Sequence, residues 1–170
     1  MGASGWQHFV PYQSDIGRAL MQLREEVFRS GSYYAPRRAK KVASVAELIE
    51  RCGESGTHSV IDVSRVVDTP LPIPVLRWHA DVLARTGAPP PHQDFQQRMF
   101  AELALIGQVA PLSDAQRVES FGTLHPSRAT VEANSYGLFP LVPRGCGLYV
   151  VVGTDPAAPT EIFFTGVTGD

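Results

Sequence analysis

The sequence has little cysteine, almost no lysine and no long apolar run. Cys52 and Cys146 are its only cysteines, and two distant thiols in a chain of 170 residues do not make a disulfide framework. No segment reaches the ~18 consecutive apolar residues of a membrane-spanning helix, and the first residues lack the basic start and apolar core of a signal peptide. We therefore expect a cytoplasmic location, no membrane partner and free thiols, with Cys146 the more exposed of the two.

Motifs that would fix a cofactor or a metal are also missing. The glycine-rich stretches match neither a P-loop nor GxGxxG, and CxxC and HExxH do not occur. We therefore assign no cofactor. Of the 15 cationic residues only Lys40 and Lys41 are lysines, and the formal net charge is −2, which argues against a nonspecific nucleic-acid partner.

What is present is a set of amphipathic patterns with recognisable helix starts and stops. Apolar residues recur at helical spacing from Ile16 to Val27, with Asp15 before them and Gly31 after them. Ser44 begins a second helix with a capping-box pattern. Further helices are predicted over residues 75–85, along Phe95, Met99, Leu103 and Ile106, after Ser113 and after Ser127.

Three apolar, β-branched runs predict strands, at residues 57–63, 148–152 and 161–165. The last two flank GTDPAAP, which has the composition of a turn, so they predict a C-terminal hairpin whose first strand is central. The sequence thus predicts an α+β fold, with an antiparallel sheet that includes the hairpin and amphipathic helices on one face. We expect residues 1–170 to form one domain, with a Pro-rich irregular segment at about 68–92.

Three stretches resemble a family of uncharacterised bacterial proteins of this size. They are VPYQSDIGRALMQLREEVFRSGSYY, ESGTHSVIDV and RGCGLYVVVGTDPAAPTEIFFTGVTGD. The resemblance implies a stand-alone bacterial protein, and it implies no particular activity.

Two sets of residues allow an enzymatic interpretation. His79 and Asp81 with the distant His125 have the order of a facial-triad iron site, but His79 falls in a helical pattern, so surface polar residues are the alternative and we assign no metal. The order of a histidine, a tyrosine and a glutamate resembles ADP-ribosyltransferases that use NAD, in which the first two frame the nicotinamide and the glutamate binds ribose. The matching residues here are His58, Tyr136 or Tyr149, and Glu161, and the alternative is a set of structural residues.

A cationic connector follows the first helix. Aromatic and cationic side chains together can stack on bases or grip an acidic partner, although many such segments are solvated loops. The residues concerned are Tyr33, Tyr34, Arg37, Arg38, Lys40 and Lys41.

These patterns favour a non-enzymatic interaction protein, immunity-like or accessory, that binds another macromolecule, most simply a protein with an acidic surface. The alternatives are an NAD-using transferase, which is the first enzymatic interpretation, and a metal-dependent oxygenase, which is the second. The feature that separates the two classes is whether His58 and Glu161 point into one concave pocket.

Overall fold

The core of the fold is a mixed sheet of five strands, seen in a computed structural model that describes residues 4–34, 41–53 and 56–169. Its strand order is β1-β5-β4-β3-β2. β5 is antiparallel to both of its neighbours, whereas β3 is parallel to both of its own. The strands are β1 (Gly5–Pro11), β2 (Arg65–Val66), β3 (Gln108–Pro111), β4 (Cys146–Val152) and β5 (Glu161–Val167).

The α+β class and the C-terminal hairpin are confirmed, and β4 is a central strand as expected. The prediction that the whole sheet is antiparallel was wrong. β2, β3 and β4 are joined by long crossovers that contain helices, and such crossovers return the chain in the same direction. The sequence pattern also gave no indication of β1 or β3.

Six α-helices surround the sheet in the part of the chain that the structure describes, and their caps explain their limits. Asp15 accepts a hydrogen bond from the Arg18 N–H at 2.9 Å, and Gly31 ends the same helix in a left-handed conformation. None of these helices has the length and apolar character to cross a membrane. They are α1 (Ile16–Ser30), α2 (Val45–Cys52), α3 (Val75–Thr86), α4 (His92–Leu103), α5 (Asp114–Phe121) and α6 (Arg128–Asn134).

Helices pack on both faces of the sheet, not on one as predicted. Phe164 of β5 belongs to a core formed with Leu23 of α1 and Leu48 of α2. The neighbouring Phe163 points to the opposite face, where it packs in a second core with Val131 of α6. Both faces need a cover because consecutive residues of β5 are apolar and buried.

Trp6 of β1 lies across the first face of the sheet, over two glycines. A Cβ atom on Gly166 would lie 2.1 Å from the indole Cζ2, and one on Gly147 would lie 2.9 Å from Cη2. Both positions therefore require glycine, because a larger residue would displace a ring that is almost fully buried.

Residues 57–63 form a tight buried loop, so the strand predicted there was wrong. Asp62 accepts hydrogen bonds from the N–H and the hydroxyl of Thr57, at 3.0 and 2.5 Å. Ser59 accepts one from the Ile61 N–H, within a 3-10 turn at Val60–Asp62. These local hydrogen bonds between side chain and backbone replace those of a sheet.

The hairpin of α3 and α4 contributes little to either core. α3 buries Val75 alone, and α4 buries no side chain. The two helices hold each other through their own contacts: Glu102 accepts a hydrogen bond from the Val75 N–H at 2.6 Å, and Arg98 lies 4.4 Å from the centre of the Trp78 ring. The helix predicted over residues 75–85, inside the Pro-rich segment at about 68–92, is confirmed as α3.

Candidate functional site

An apolar groove of about 830 Å³ separates the α3–α4 hairpin from one end of the sheet. Phe95, Met99 and Leu103 of α4 form one wall. Phe139 and Val142, from the segment before β4, form the other. Open grooves with apolar walls are the usual form of ligand and peptide sites.

The α4 wall of this groove is the helical stripe that the sequence predicted. Phe95, Met99 and Leu103 line the groove from α4, spaced by four residues, and Ile106 lines it from the turn that follows, because the helix ends at Leu103. A stripe of this kind normally packs against a core. Here it remains open, and Leu103 is 54% exposed. The sequence thus indicated the residues of the groove, although it did not indicate that they lack a cover.

Charged groups stand at the rim of the groove. Arg144 is exposed there, and Arg77 forms an ion pair with Glu119 at 3.7 Å. Glu102 also lines the groove, but its carboxylate already holds the Val75 N–H. The groove therefore has apolar walls with two guanidinium groups and one carboxylate beside them, and Arg77 and Glu102 already have partners within the chain.

The predicted cationic connector lies only partly within the described residues. Tyr33 stacks on Phe28 and packs against the first core, so it is structural. Tyr34 is exposed and meets the His58 ring with 5.0 Å between ring centres, and Lys41 is exposed. Arg37, Arg38 and Lys40 lie outside the described residues, so their role in binding stays a prediction.

The residues of the transferase hypothesis do not share a pocket. Tyr149 pairs with Phe164 and faces α1, whereas Glu161 faces the opposite side and forms an ion pair with Arg128. Tyr136 is 78% exposed on the 3-10 segment Ser135–Leu141, which covers the face of the second core. His58 lies in the buried loop beside α1, with a backbone φ of 53°.

The three residues of the metal hypothesis lie in different environments and do not form a common site. The His79 ring meets the edge of Phe95 within the α3–α4 hairpin, with 5.5 Å between ring centres. Asp81 is exposed on α3, and His125 is exposed on the loop after α5. The described residues contain no group of three side chains placed to hold a metal ion.

A buried polar cluster lies beneath α1, and the sequence pattern did not reveal it. Arg24 donates from Nε and Nη2 to the Ile61 carbonyl oxygen, at 3.3 and 3.1 Å. Burial raises the pKa of Asp62, while the hydrogen bonds from Thr57 oppose that rise. Arg24 fastens the loop at 57–62 to α1, and the hydrogen bonds between Thr57 and Asp62 hold the loop itself, so the role of the cluster is structural.

Cys146 is fully buried, and the prediction that it is the more exposed thiol was wrong. Its Sγ donates to the Leu105 carbonyl oxygen at 3.2 Å, and burial raises its pKa to about 12, helped by the charge of Glu102. Cys52 is half-buried on α2. The flanking glycines suggested exposure, but they lie at the start of the central strand. Neither thiol is therefore placed as a nucleophile.

Comparison with known proteins assigns the chain to no group. No family model matches it, and neither a curated protein nor a solved structure does. The groove between the α3–α4 hairpin and the sheet must therefore be interpreted from its own geometry.

Proposed function

We propose that the protein is a non-enzymatic interaction protein, accessory or immunity-like, whose groove receives an amphipathic helix of a partner protein. The observation that carries the proposal is the open apolar stripe that runs along α4 from Phe95 to Leu103 and continues at Ile106, in the turn after the helix. Exposed apolar surface of this kind costs free energy in water, and it is typical of interaction sites.

A helix is the occupant that the shape of the groove favours. α3 and α4 have 12 residues each, so each is about 18 Å long at a rise of about 1.5 Å per residue. A partner helix that lies along them would place apolar side chains at every third or fourth position against Met99 and Leu103. This is the usual arrangement when a helix binds in a groove.

The rim charges favour an acidic flank on that helix. Arg144 is exposed beside the apolar wall, and a carboxylate of the partner would meet it as the apolar face docks, whereas Arg77 already forms an ion pair with Glu119. Such pairs mainly speed association and set orientation. An acidic partner also agrees with the role predicted for the connector at 33–41, which remains a separate proposal.

Selection of peptides against the intact protein tests the proposal. We would select helical peptides of about four turns from a randomised library and measure their affinities at two salt concentrations. Leu103→Asp should weaken the selected peptides at least about tenfold, because it places a charge in the apolar wall. Arg144→Ala should mainly slow association and reduce the dependence on salt.

The matched control is Val118→Asp, which places the same charge on an exposed apolar residue of α5 outside the groove. It should leave affinity unchanged. Peptides that bind wild type and Leu103→Asp equally well would contradict the proposal. So would an apolar small molecule that copurifies with the wild type, is detected by native mass spectrometry and is lost in Leu103→Asp.

A further inference from the structure

One long edge of the sheet is open along β1. The Ser4 carbonyl accepts from the Thr168 N–H, and the Tyr12 N–H donates to the Thr160 carbonyl, so the backbone of these two residues points toward β5. Hydrogen-bonding direction alternates along a strand. The intervening odd-numbered positions therefore point their backbone groups away from β5, where no other described strand pairs with them. These positions are Gly5, Gln7, Phe9 and Pro11.

The β1 edge also lacks the features by which proteins usually protect an edge strand. Its sequence GWQHFVP carries no lysine, aspartate or glutamate, and its only proline is the last residue. Its pairing with β5 runs without a bulge from Gly5 to Pro11. The opposite edge, β2, has two residues and offers little to pair with. Long, flat and uncharged edges readily accept another strand.

We propose that two copies of the chain pair through β1, antiparallel about a two-fold axis at His8, so that one sheet continues across both copies. This register overlaps all seven residues of the strand. Gln7 would exchange both backbone hydrogen bonds with Phe9 of the second copy. Pro11, which has no N–H, would lie opposite Gly5 and accept from its N–H, so the missing donor falls at the end of the ladder.

A second copy suits this edge for two further reasons. Residues 5–11 carry no aspartate, glutamate, lysine or arginine, so pairing the strand with itself sets no such charges against each other. On the face of the second core, Phe9 would lie diagonal to Phe9 of the second copy, within reach of an aromatic contact. None of the paired residues 5–11 lines the groove at α3–α4, so this inference does not rest on the proposed function.

Sedimentation velocity of the full chain over a range of concentrations tests the dimer. The wild type should sediment as a dimer at micromolar concentration, and Gln7→Pro should be monomeric. The substitution removes an N–H that points away from β5, so it leaves the β1–β5 ladder intact. Gln7→Val keeps the N–H and is the matched control, and Leu103→Asp in the groove should also remain dimeric.

Disulfide trapping gives a readout that does not depend on the folding of Gln7→Pro. In a Cys52→Ser background, His8→Cys should cross-link two chains under mild oxidation, because the two Cα atoms would be about 4.5 Å apart at the axis. Tyr12→Cys should not, because it would not meet itself in this register. A monomer at every concentration, a dimer that survives Gln7→Pro, or an edge that binds only foreign extended peptides would overturn the proposal.

Discussion

The sheet and the α3–α4 hairpin both contain regular apolar patterns, but the sheet buries its apolar residues and the hairpin leaves most of them exposed. In β5, five consecutive residues from Ile162 to Gly166 are buried, with Ile162 and Phe164 in the core on one face and Phe163 in the core on the other. In α4 the stripe is equally regular, yet none of its side chains is fully buried. The comparison teaches that an amphipathic pattern identifies the side chains that favour apolar contact, but it does not identify where the contact comes from.

The largest difference between the two regions should appear when an aromatic ring is removed from each and the free energy of unfolding is measured. Phe163→Ala in β5, where the ring is 1% exposed, should lower the free energy of unfolding by about 3–5 kcal/mol. Phe100→Ala in α4, where the ring is 64% exposed, should change it by less than about 0.5 kcal/mol. Urea denaturation of both variants measures the difference. Equal losses would mean that the hairpin is part of the core.

Adding a methyl group should sharpen the contrast in packing density. Gly166→Ala should destabilise the protein by about 1–3 kcal/mol, because the new Cβ would overlap the Trp6 ring. Gly137→Ala, where no heavy atom lies within 4 Å of the new Cβ, is the control and should be nearly neutral. The loss at Gly166 should shrink when Trp6→Leu is already present. If the stability losses of Gly166→Ala and Trp6→Leu simply added in the double variant, a direct contact between position 166 and the Trp6 ring would be contradicted.

A smaller effect should come from His8, which tests how well β1 is covered on the side of α1. Burial lowers the pKa of His8, with the charge of Glu26 opposing. The unfolded chain therefore takes up this proton first as the pH falls, so the free energy of unfolding decreases below about pH 6.5. His8→Gln should flatten this decrease between pH 7.5 and pH 5.5, measured by denaturant titration. If the free energy of unfolding of His8→Gln fell with pH as steeply as that of the wild type, the lowered pKa of His8 would be contradicted.

The smallest expected effect is a difference in the reactivity of the two thiols, which involves no change in stability. A thiol reagent should label Cys52 first, whereas Cys146 should react only when the protein unfolds, because it is buried and its pKa is about 12. Cys52→Ser should remove the fast phase and leave the slow one. Fast labelling of Cys146 in the native protein would show that β4 opens far more readily than its burial indicates.

Local signals were sufficient to predict most helices and the C-terminal hairpin. Asp15 and Ser44 mark helix starts through hydrogen bonds that form within one turn, so nearby sequence contains the information. The hairpin is likewise local, because one short turn joins β4 to β5. α4 was predicted from its spacing alone, and the groove it lines follows from packing that spacing does not describe.

Features that depend on distant partners were not predictable. β1 pairs with β5 about 160 residues away, and β3 has four residues between two crossovers, so neither gives a local signal. At residues 57–63 the β-branched run favoured a strand, but Asp62 and Ser59 bond to their own loop. Tyr149 and Glu161 illustrate the same limit for the site, since the sheet separates residues that sequence order brought together.

The placement of the two tryptophans gives each region its own optical reporter. Trp6 is enclosed over the glycines of the sheet, whereas Trp78 lies in α3 beneath the Arg98 guanidinium. The intrinsic fluorescence of a Trp78→Phe variant should therefore follow the sheet, and that of a Trp6→Phe variant the hairpin. A change in the packing of α3 on α4 should alter the emission of Trp78, because its ring contacts Arg98. Events that open the core should shift the emission of Trp6 to longer wavelength as water reaches it.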